Sequence, residues 1–135
     1  MAVERGDDVS KAERIKGQRW EQEVARRMRD CLPGAGVYTG RQSGAYDSVP
    51  DIIAGPFAVE CKVGARPPSA HSVITQASEH CGDLVPIGVV KHDRRPPYVV
   101  IGLADFERII GDWWVAHGRE EEPGPRVIGT TGGTP

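Results

Sequence analysis

The sequence predicts an α/β sandwich in which helices cover a central mixed β-sheet. Two observations predict it: stretches with a helical apolar period alternate with short β-branched runs, and Gly- or Pro-containing turns separate them. The predicted order of elements is α-β-β-β-α-β-β-α, which is typical of helices packed on a sheet. The chain has 135 residues, which suits one domain with a single core.

The first predicted element is a helix from Ser10 to about Leu32. Ser10 can cap its N-terminus, and Glu13 three residues later completes a capping box. Pro33-Gly34 ends the helix. Residues 1–9 are polar and charged, so we expect a flexible N-terminus there.

Three strands are predicted next. A short strand lies near Val37-Tyr38, within a stretch at 34–49 whose Gly and Ser content otherwise indicates a loop. Residues 50–54 and 57–63 read as two strands around Gly55-Pro56, which favours a hairpin.

The second half of the chain predicts a helix, two strands and a last helix. The helix runs from Ser69 to about Cys81, and Gly82 ends it. The remaining segments are strands at 84–90 and 98–103 and a helix that starts at Ala104.

The C-terminal residues 118–135 differ from the rest in composition. An acidic run is followed by Pro and Gly without lasting periodicity, so we expect a disordered tail and a folded domain over residues 10–117.

Composition and charge exclude several classes of protein. Hydrophobic residues make up 39% of the chain and the formal net charge is −2, which excludes a disordered chain and a uniformly basic DNA-coating protein. The three cysteines are an odd number at long spacings, which favours reduced thiols in a cytosol. No apolar run approaches the roughly 18–20 residues that span a bilayer.

Three charged residues occupy the predicted hairpin. Glu60 and Lys62 are two positions apart on a strand, so their side chains point to the same face. Asp51 starts the preceding strand and can approach Glu60 across the pairing. Two carboxylates held close repel each other unless a cation lies between them, and Mg²⁺ prefers oxygen ligands. The alternative is a solvated strand face with Asp51 as a turn residue.

The first helix carries a further candidate. At 100° per residue, Glu21 falls within the apolar arc that contains Trp20, Val24 and Met28, whereas Glu23 lies outside it. A carboxylate on a buried stripe is costly unless it is paired or binds a metal. Glu21 is therefore a candidate third carboxylate of the same site, the alternative being a boundary residue that reaches solvent.

These motifs together resemble a known superfamily. The stretch "PDIIAG…AVECKV" resembles the PD-(D/E)xK motif of restriction-endonuclease-like nucleases. "KGQRWEQEVARRMRD" is similar to the first helix of archaeal-type and phage Holliday junction resolvases, with Lys16-Gly17 and Glu21 in its K-G-x-x-x-E pattern. "ITQASEHCGDLVPIGVVKHD" is similar to their following helix and strand, so the resemblance covers residues 12–110.

The resemblance implies a restriction-endonuclease-like fold and an Mg²⁺-dependent DNA endonuclease of recombination or repair, with Mn²⁺ expected to substitute. Asp51, Glu60 and Glu21 would hold the metal, and Lys62 would be the catalytic lysine. A serine of the preceding loop would join them. Ser43 and Ser48 compete for that role, and Asp47 could also reach the metal.

Local positive charge and polar side chains would bind DNA. Phosphate contacts carry affinity without sequence information, which fits a reader of DNA shape. The candidates are Lys16, Arg19, Arg41, Ser43, Gln76 and Lys91.

The resemblance implies branched or duplex DNA as partner and a homodimer, since junction resolution needs two symmetric cuts. Trp113 and Trp114 are adjacent, so one of them would lie in a dimer interface or cover the edge of the sheet. The expected function is a Holliday junction resolvase, which the resemblance places in the cytoplasm of a bacterial or phage-infected host cell. The alternatives are another PD-(D/E)xK nuclease of repair or restriction type, and a non-catalytic DNA-binding module.

Overall fold

The computed structural model describes residues 2–40 and 49–118, and the backbone alone for residues 2–10. The elements follow the predicted order: α1 (Ala2–Cys31), β1 (Val37–Thr39), β2 (Ile52–Ala54), β3 (Phe57–Gly64), α2 (Ala70–Glu79), β4 (Val85–His92), β5 (Tyr98–Ile101) and α3 (Leu103–His117).

The five strands form one mixed sheet in the order β1-β2-β3-β4-β5. Neighbouring strands are antiparallel except β3 and β4, which are parallel and are connected through α2. A parallel pair needs such a crossover, whereas β2 and β3 are joined by a tight hairpin as predicted. The predicted mixed sheet with flanking helices is confirmed.

Helices α1 and α2 cover opposite faces of this sheet. Trp20 and Val24 of α1 pack in the main core with Val59 and Cys61 of β3. Because side chains alternate along a strand, Glu60 points to the other face, where it pairs in register with Gly88 of β4.

Gly88 permits the close approach of α2. A Cβ atom at position 88 would lie 2.3 Å from Cγ1 of Val73, a fully buried residue of α2. The absence of a side chain at Gly88 therefore sets how closely α2 covers the face that carries Glu60.

Three predicted boundaries are wrong. Helix α1 begins at Ala2, so Ser10 is an interior residue and not its N-cap; no proline in residues 2–9 stops the helix from extending. Helix α2 is capped by Ser69, whose Oγ accepts from the backbone N–H of Ser72, but it ends at Glu79. Leu103 begins α3 and does not extend β5.

The chain forms two compact units, Met1–Gly102 and Leu103–Pro135. The sheet, α1 and α2 belong to the first, and α3 belongs to the second, so the domain predicted over 10–117 spans both. The disordered tail was predicted over residues 118–135. Of these, only Gly118 belongs to the described part of the chain. None of the described helices has the length and apolar character needed to cross a membrane.

Candidate active site

The β2–β3 hairpin places Asp51 beside the E-x-K triplet. Ile52 pairs with Val59 in the antiparallel register, so Asp51 lies next to the start of the triplet. Oδ2 of Asp51 accepts a hydrogen bond of 2.8 Å from the backbone N–H of Cys61. This bond fixes the carboxylate against β3, and the approach expected from the sequence is observed.

Glu60 and Lys62 form an ion pair on one face of β3. Nζ of Lys62 lies 3.5 Å from Oε2 of Glu60, whose side chain is only 6% exposed. The pair is long for a charge-assisted hydrogen bond, so the ammonium compensates the buried carboxylate only in part.

The electrostatics of Glu60 are unfavourable to its ionised form. Burial, and then the negative charge of Asp51, raise the pKa of Glu60 from 4.5 to about 6, while Lys62 acts in the opposite direction. A buried carboxylate that a second carboxylate repels has a deficit of nearby positive charge.

Cys61 separates the two charged residues of the triplet and points into the core. Burial raises the pKa of its thiol well above the usual range, and the charges of Asp51, Glu21 and Glu60 add to this effect. Three carboxylates thus act electrostatically on one buried sulfur. This places Glu21 near β3, on the face that α1 covers.

Glu21 and Glu23 have different environments, as the helical arc predicts. Glu23 forms an ion pair of 2.6 Å with Arg26 on the outside of α1, and this hydrogen bond lowers the pKa of Glu23. Glu21 is partly buried next to the buried Trp20.

The predicted carboxylates are not drawn into one ligand set. Within residues 11–40 and 49–118, whose side chains the structure describes, no three His, Cys, Asp or Glu side chains are close enough to form a metal-binding group. The structure therefore brings Asp51, Glu60 and Lys62 together, and Glu21 approaches β3 from the other face.

The predicted DNA-binding residues are dispersed. Nζ of Lys16 forms an ion pair of 3.0 Å with Asp93, so its charge is partly neutralised. Lys91 lies near the end of β4 and donates to the carbonyl of His92 at 3.4 Å. Arg19 is exposed on α1. Four predicted candidates lie outside the described residues: Arg41, Ser43, Asp47 and Ser48.

Helix α2 adds a polar concavity to the same unit, and Gln76 lies in it. The other lining residues are His71, Ser72, Thr75, Glu79 and His80. Gln76 is partly buried and lines this concavity, and its role in DNA binding stays a prediction.

His80 is a residue near the site that sequence reasoning missed. The charge of His80 lowers the pKa of Glu60, and this effect is smaller than the effects of burial, Asp51 and Lys62. Its Nδ1 is buried and has no hydrogen-bond partner within the described part of the chain. In the sequence, His80 could have been identified only by its position four residues after Gln76, since residues at this spacing share one face of a helix.

Comparison with known proteins identifies no relative from which the roles of these residues could be inferred. No family model, no curated protein and no solved structure matches this chain.

Proposed function

We propose that this chain is an Mg²⁺-dependent DNA endonuclease with a restriction-endonuclease-like fold, and that its substrate is the four-way DNA junction. The main support for this proposal is the arrangement of Asp51, Glu60 and Lys62 on the β2–β3 hairpin. The resemblance of residues 12–110 to junction resolvases supports the choice of substrate.

A divalent cation fits this donor set. Asp51 and Glu60 provide hard oxygen ligands, and a bound cation would counter the burial and the Asp51 charge that raise the pKa of Glu60. Mg²⁺ uses few carboxylates and keeps several waters, so a site with two protein ligands suits it. A bound Mg²⁺ would activate a water and neutralise phosphate oxygens, and Mn²⁺ would serve in its place.

Lys62 has two roles in this proposal. Its ammonium lies beside Glu60 on the same strand face, where it orients the attacking water by hydrogen bonding. It also stabilises the negative charge that develops on the phosphate oxygens as water adds to phosphorus and the phosphodiester P–O bond breaks. The released oxygen takes up a proton, which completes the hydrolysis.

Glu21 acts from the α1 face of β3. Its charge reaches the same strand segment as the charges of Asp51 and Glu60. We assign it an indirect electrostatic role, because it approaches β3 from the face opposite Glu60 and its charge acts on Cys61 between the two site residues.

DNA contacts in this proposal come from exposed cations and from the polar face of α2. Arg19 and Lys91 would contact phosphates, and Gln76 lies in a surface concavity that can accept a strand. Lys16 would contribute once DNA phosphate competes with Asp93 for its ammonium. Contacts of this kind bind DNA by charge and shape.

The test is cleavage of a synthetic four-way junction with Mg²⁺, in parallel with duplex, flap and single-stranded DNA of matched sequence. We expect the junction to be cut, and Asp51→Asn and Glu60→Gln to abolish cutting while they preserve binding. Glu23→Gln is the matched control and should cut normally, because Glu23 is paired with Arg26 at the surface.

Each alternative gives a different result in the same assay. If duplex or flap DNA is cut faster than the junction, the substrate is that DNA and not the four-way junction. Binding without cutting by any metal-loaded sample would show a DNA-binding module, and wild-type rates in Asp51→Asn would remove Asp51 from the site.

A further inference from the structure

The turn between β4 and β5 lies at the edge of the sheet where β3 and β4 both end. It comprises residues 93–97, which we call the basic turn. The backbone N–H of Asp93 donates to the carbonyl of Gly64 at 2.9 Å, so the two parallel strands leave the sheet side by side. In open α/β sheets, ligands bind outside the carboxyl ends of the strands. The basic turn therefore lies where such a sheet holds a ligand.

Positive charge is concentrated at this edge, although the chain has a formal net charge of −2. Residues 62–69 and 91–98 contain five lysines or arginines and a single acidic residue, Asp93. That carboxylate is already paired with Nζ of Lys16 at 3.0 Å. The edge can thus attract a polyanion to a molecule whose net charge would repel it. The five cations are Lys62, Arg66, Lys91, Arg94 and Arg95.

Two of these cations have no partner in the fold. Arg94 and Arg95 are exposed, and their side chains form no hydrogen bond or ion pair with the residues that the structure describes. Arg26, an exposed arginine of α1, differs because its guanidinium contacts the carboxylates of Glu23 and Asp30. The guanidinium groups of the basic turn are therefore available to bind an anion.

The backbone at Arg94 is unfavourable for an arginine. Its φ is +61°, and among the described residues other than glycine no second one has a positive φ. This left-handed region is costly for most L-residues and is adopted more readily by Gly, Asn and Asp. Hydrogen bonding by the Arg94 side chain does not offset the cost, because it has no partner among the described residues. A conformation maintained in this way points to a functional position.

Several contacts hold the basic turn in one conformation. Nε2 of His92 lies 3.2 Å from Oη of Tyr98 across the base of the turn, and the two rings stack with centroids 5.9 Å apart. The backbone N–H of Arg95 donates to the carbonyl of His92 at 3.0 Å. Pro96 and Pro97 follow with restricted φ angles. A turn that is ordered before binding loses little backbone entropy when its arginines contact a ligand.

We infer that the basic turn is a DNA-phosphate site, with Arg94 and Arg95 as the contacting residues. This inference rests on the proposed nuclease function, because the turn lies beside the candidate active site. Lys62 pairs in register with Val90, three residues before the turn, which at about 3.3 Å per residue is about 10 Å along the strand. Phosphates of one strand follow each other at about 3.4 Å along a duplex axis, so the turn holds the phosphate about three positions from the one at Lys62.

The first test measures DNA binding without cleavage, in the full-length protein with chelator present. Arg94→Asn removes a charge but keeps a residue type suited to the backbone, Arg95→Gln removes the second charge, and Arg26→Gln is the matched control. Because each phosphate contact contributes about 0.9 to the salt dependence, each loss should weaken binding about 15-fold at 50 mM salt and about 4-fold at 200 mM. Arg26→Gln should bind as wild type does. Fluorescence anisotropy with a labelled junction and a matched duplex gives these affinities.

A second measurement separates the charge of Arg94 from a structural role. Thermal unfolding of Arg94→Asn should give a melting temperature equal to or above that of wild type, because Asn adopts a positive φ more readily. Arg94→Lys keeps the charge and should retain the wild-type salt dependence. If Arg94 only shaped the turn, Arg94→Asn would instead bind DNA normally.

The position along the strand is tested with junctions that carry one uncharged methylphosphonate linkage. Neutralising the phosphate about three positions from the cleaved bond should weaken binding by wild type and have little further effect on the Arg94→Asn/Arg95→Gln variant. Equal weakening of both proteins contradicts the assignment.

The outcomes distinguish this inference from the proposed function. Wild-type affinity and salt dependence in the Arg94→Asn/Arg95→Gln variant would overturn the inference, whether or not the junction is cut. If the wild-type protein binds DNA without cutting it and the variant loses this binding, the phosphate site is supported and the nuclease proposal fails. A wild-type protein that binds neither junction nor duplex overturns both.

Discussion

Neutralising Glu60 should stabilise the folded protein at neutral pH. Its side chain is nearly inaccessible, and burial together with Asp51 raises its pKa from 4.5 to about 6. A shift of this size corresponds to about 2 kcal/mol of unfavourable free energy for the ionised form in the native state. Glu60→Gln removes that cost, and the raised pKa of Glu60 already includes the opposing attraction of Lys62, so loss of the ion pair is not subtracted again. We therefore expect a net gain of about 1–2 kcal/mol at pH 7.5.

The pH dependence fixes the sign of this effect. Between pH 4.5 and about 6 the native state binds more protons than the unfolded state, so the contribution of Glu60 to stability falls as pH rises through this window. In Glu60→Gln, residue 60 does not titrate, so its contribution to stability does not fall as pH rises. The difference in free energy of unfolding between the variant and wild type should be small at pH 4 and reach its full value above pH 7.

The assay is urea unfolding followed by tryptophan fluorescence from pH 4 to 8, with chelator present. Glu23→Gln is the control, because a hydrogen bond from Arg26 lowers the pKa of Glu23. A group of this kind stabilises the fold above its unfolded pKa, so its neutralisation should not raise stability at pH 7.5. A Glu60→Gln variant that is less stable than wild type at pH 7.5, or a difference that does not vary with pH, would refute the reasoning.

Three further outcomes are expected. Glu21→Gln should slow junction cleavage by roughly 10²-fold with folding preserved, and Glu23→Gln should not; single-turnover rates measure both. Gly88→Ala should destabilise the protein by about 1–3 kcal/mol, because its Cβ would overlap Val73, and Val73→Ala should restore much of the loss in thermal unfolding. Junction affinity should fall steeply between 50 and 200 mM salt in a binding titration, and an affinity that is independent of salt would contradict phosphate binding.

The order of elements was predictable because its signals are local. The hairpin around Gly55-Pro56 and the start of a helix near Ser69 depend on neighbouring residues, and both appear in the structure. The alternation of Glu60, Cys61 and Lys62 across β3 follows from the period of a strand alone. The start of α1 was not predictable in this way, since a capping pattern at Ser10 does not stop a helix that can continue through residues 2–9.

Features that depend on long-range packing could not be derived from the pattern. The pKa of Glu60 depends on how closely α2 covers it, which in turn depends on Gly88 of another strand. The influence of His80 on Glu60 arises from the same packing.

The strand period explains how a small domain can place charges within its apolar hairpin. On one face of β3, Val59 and Cys61 complete the core beneath α1. On the other face, Glu60 and Lys62 face the layer of α2, where Gly88 lets Val73 approach the sheet closely. The same strand thus stabilises the fold on one side and carries an energetically costly carboxylate on the other. A cost of about 2 kcal/mol is tolerable within the roughly 5–15 kcal/mol by which native proteins are stable, and a cation bound at Asp51 and Glu60 would offset it.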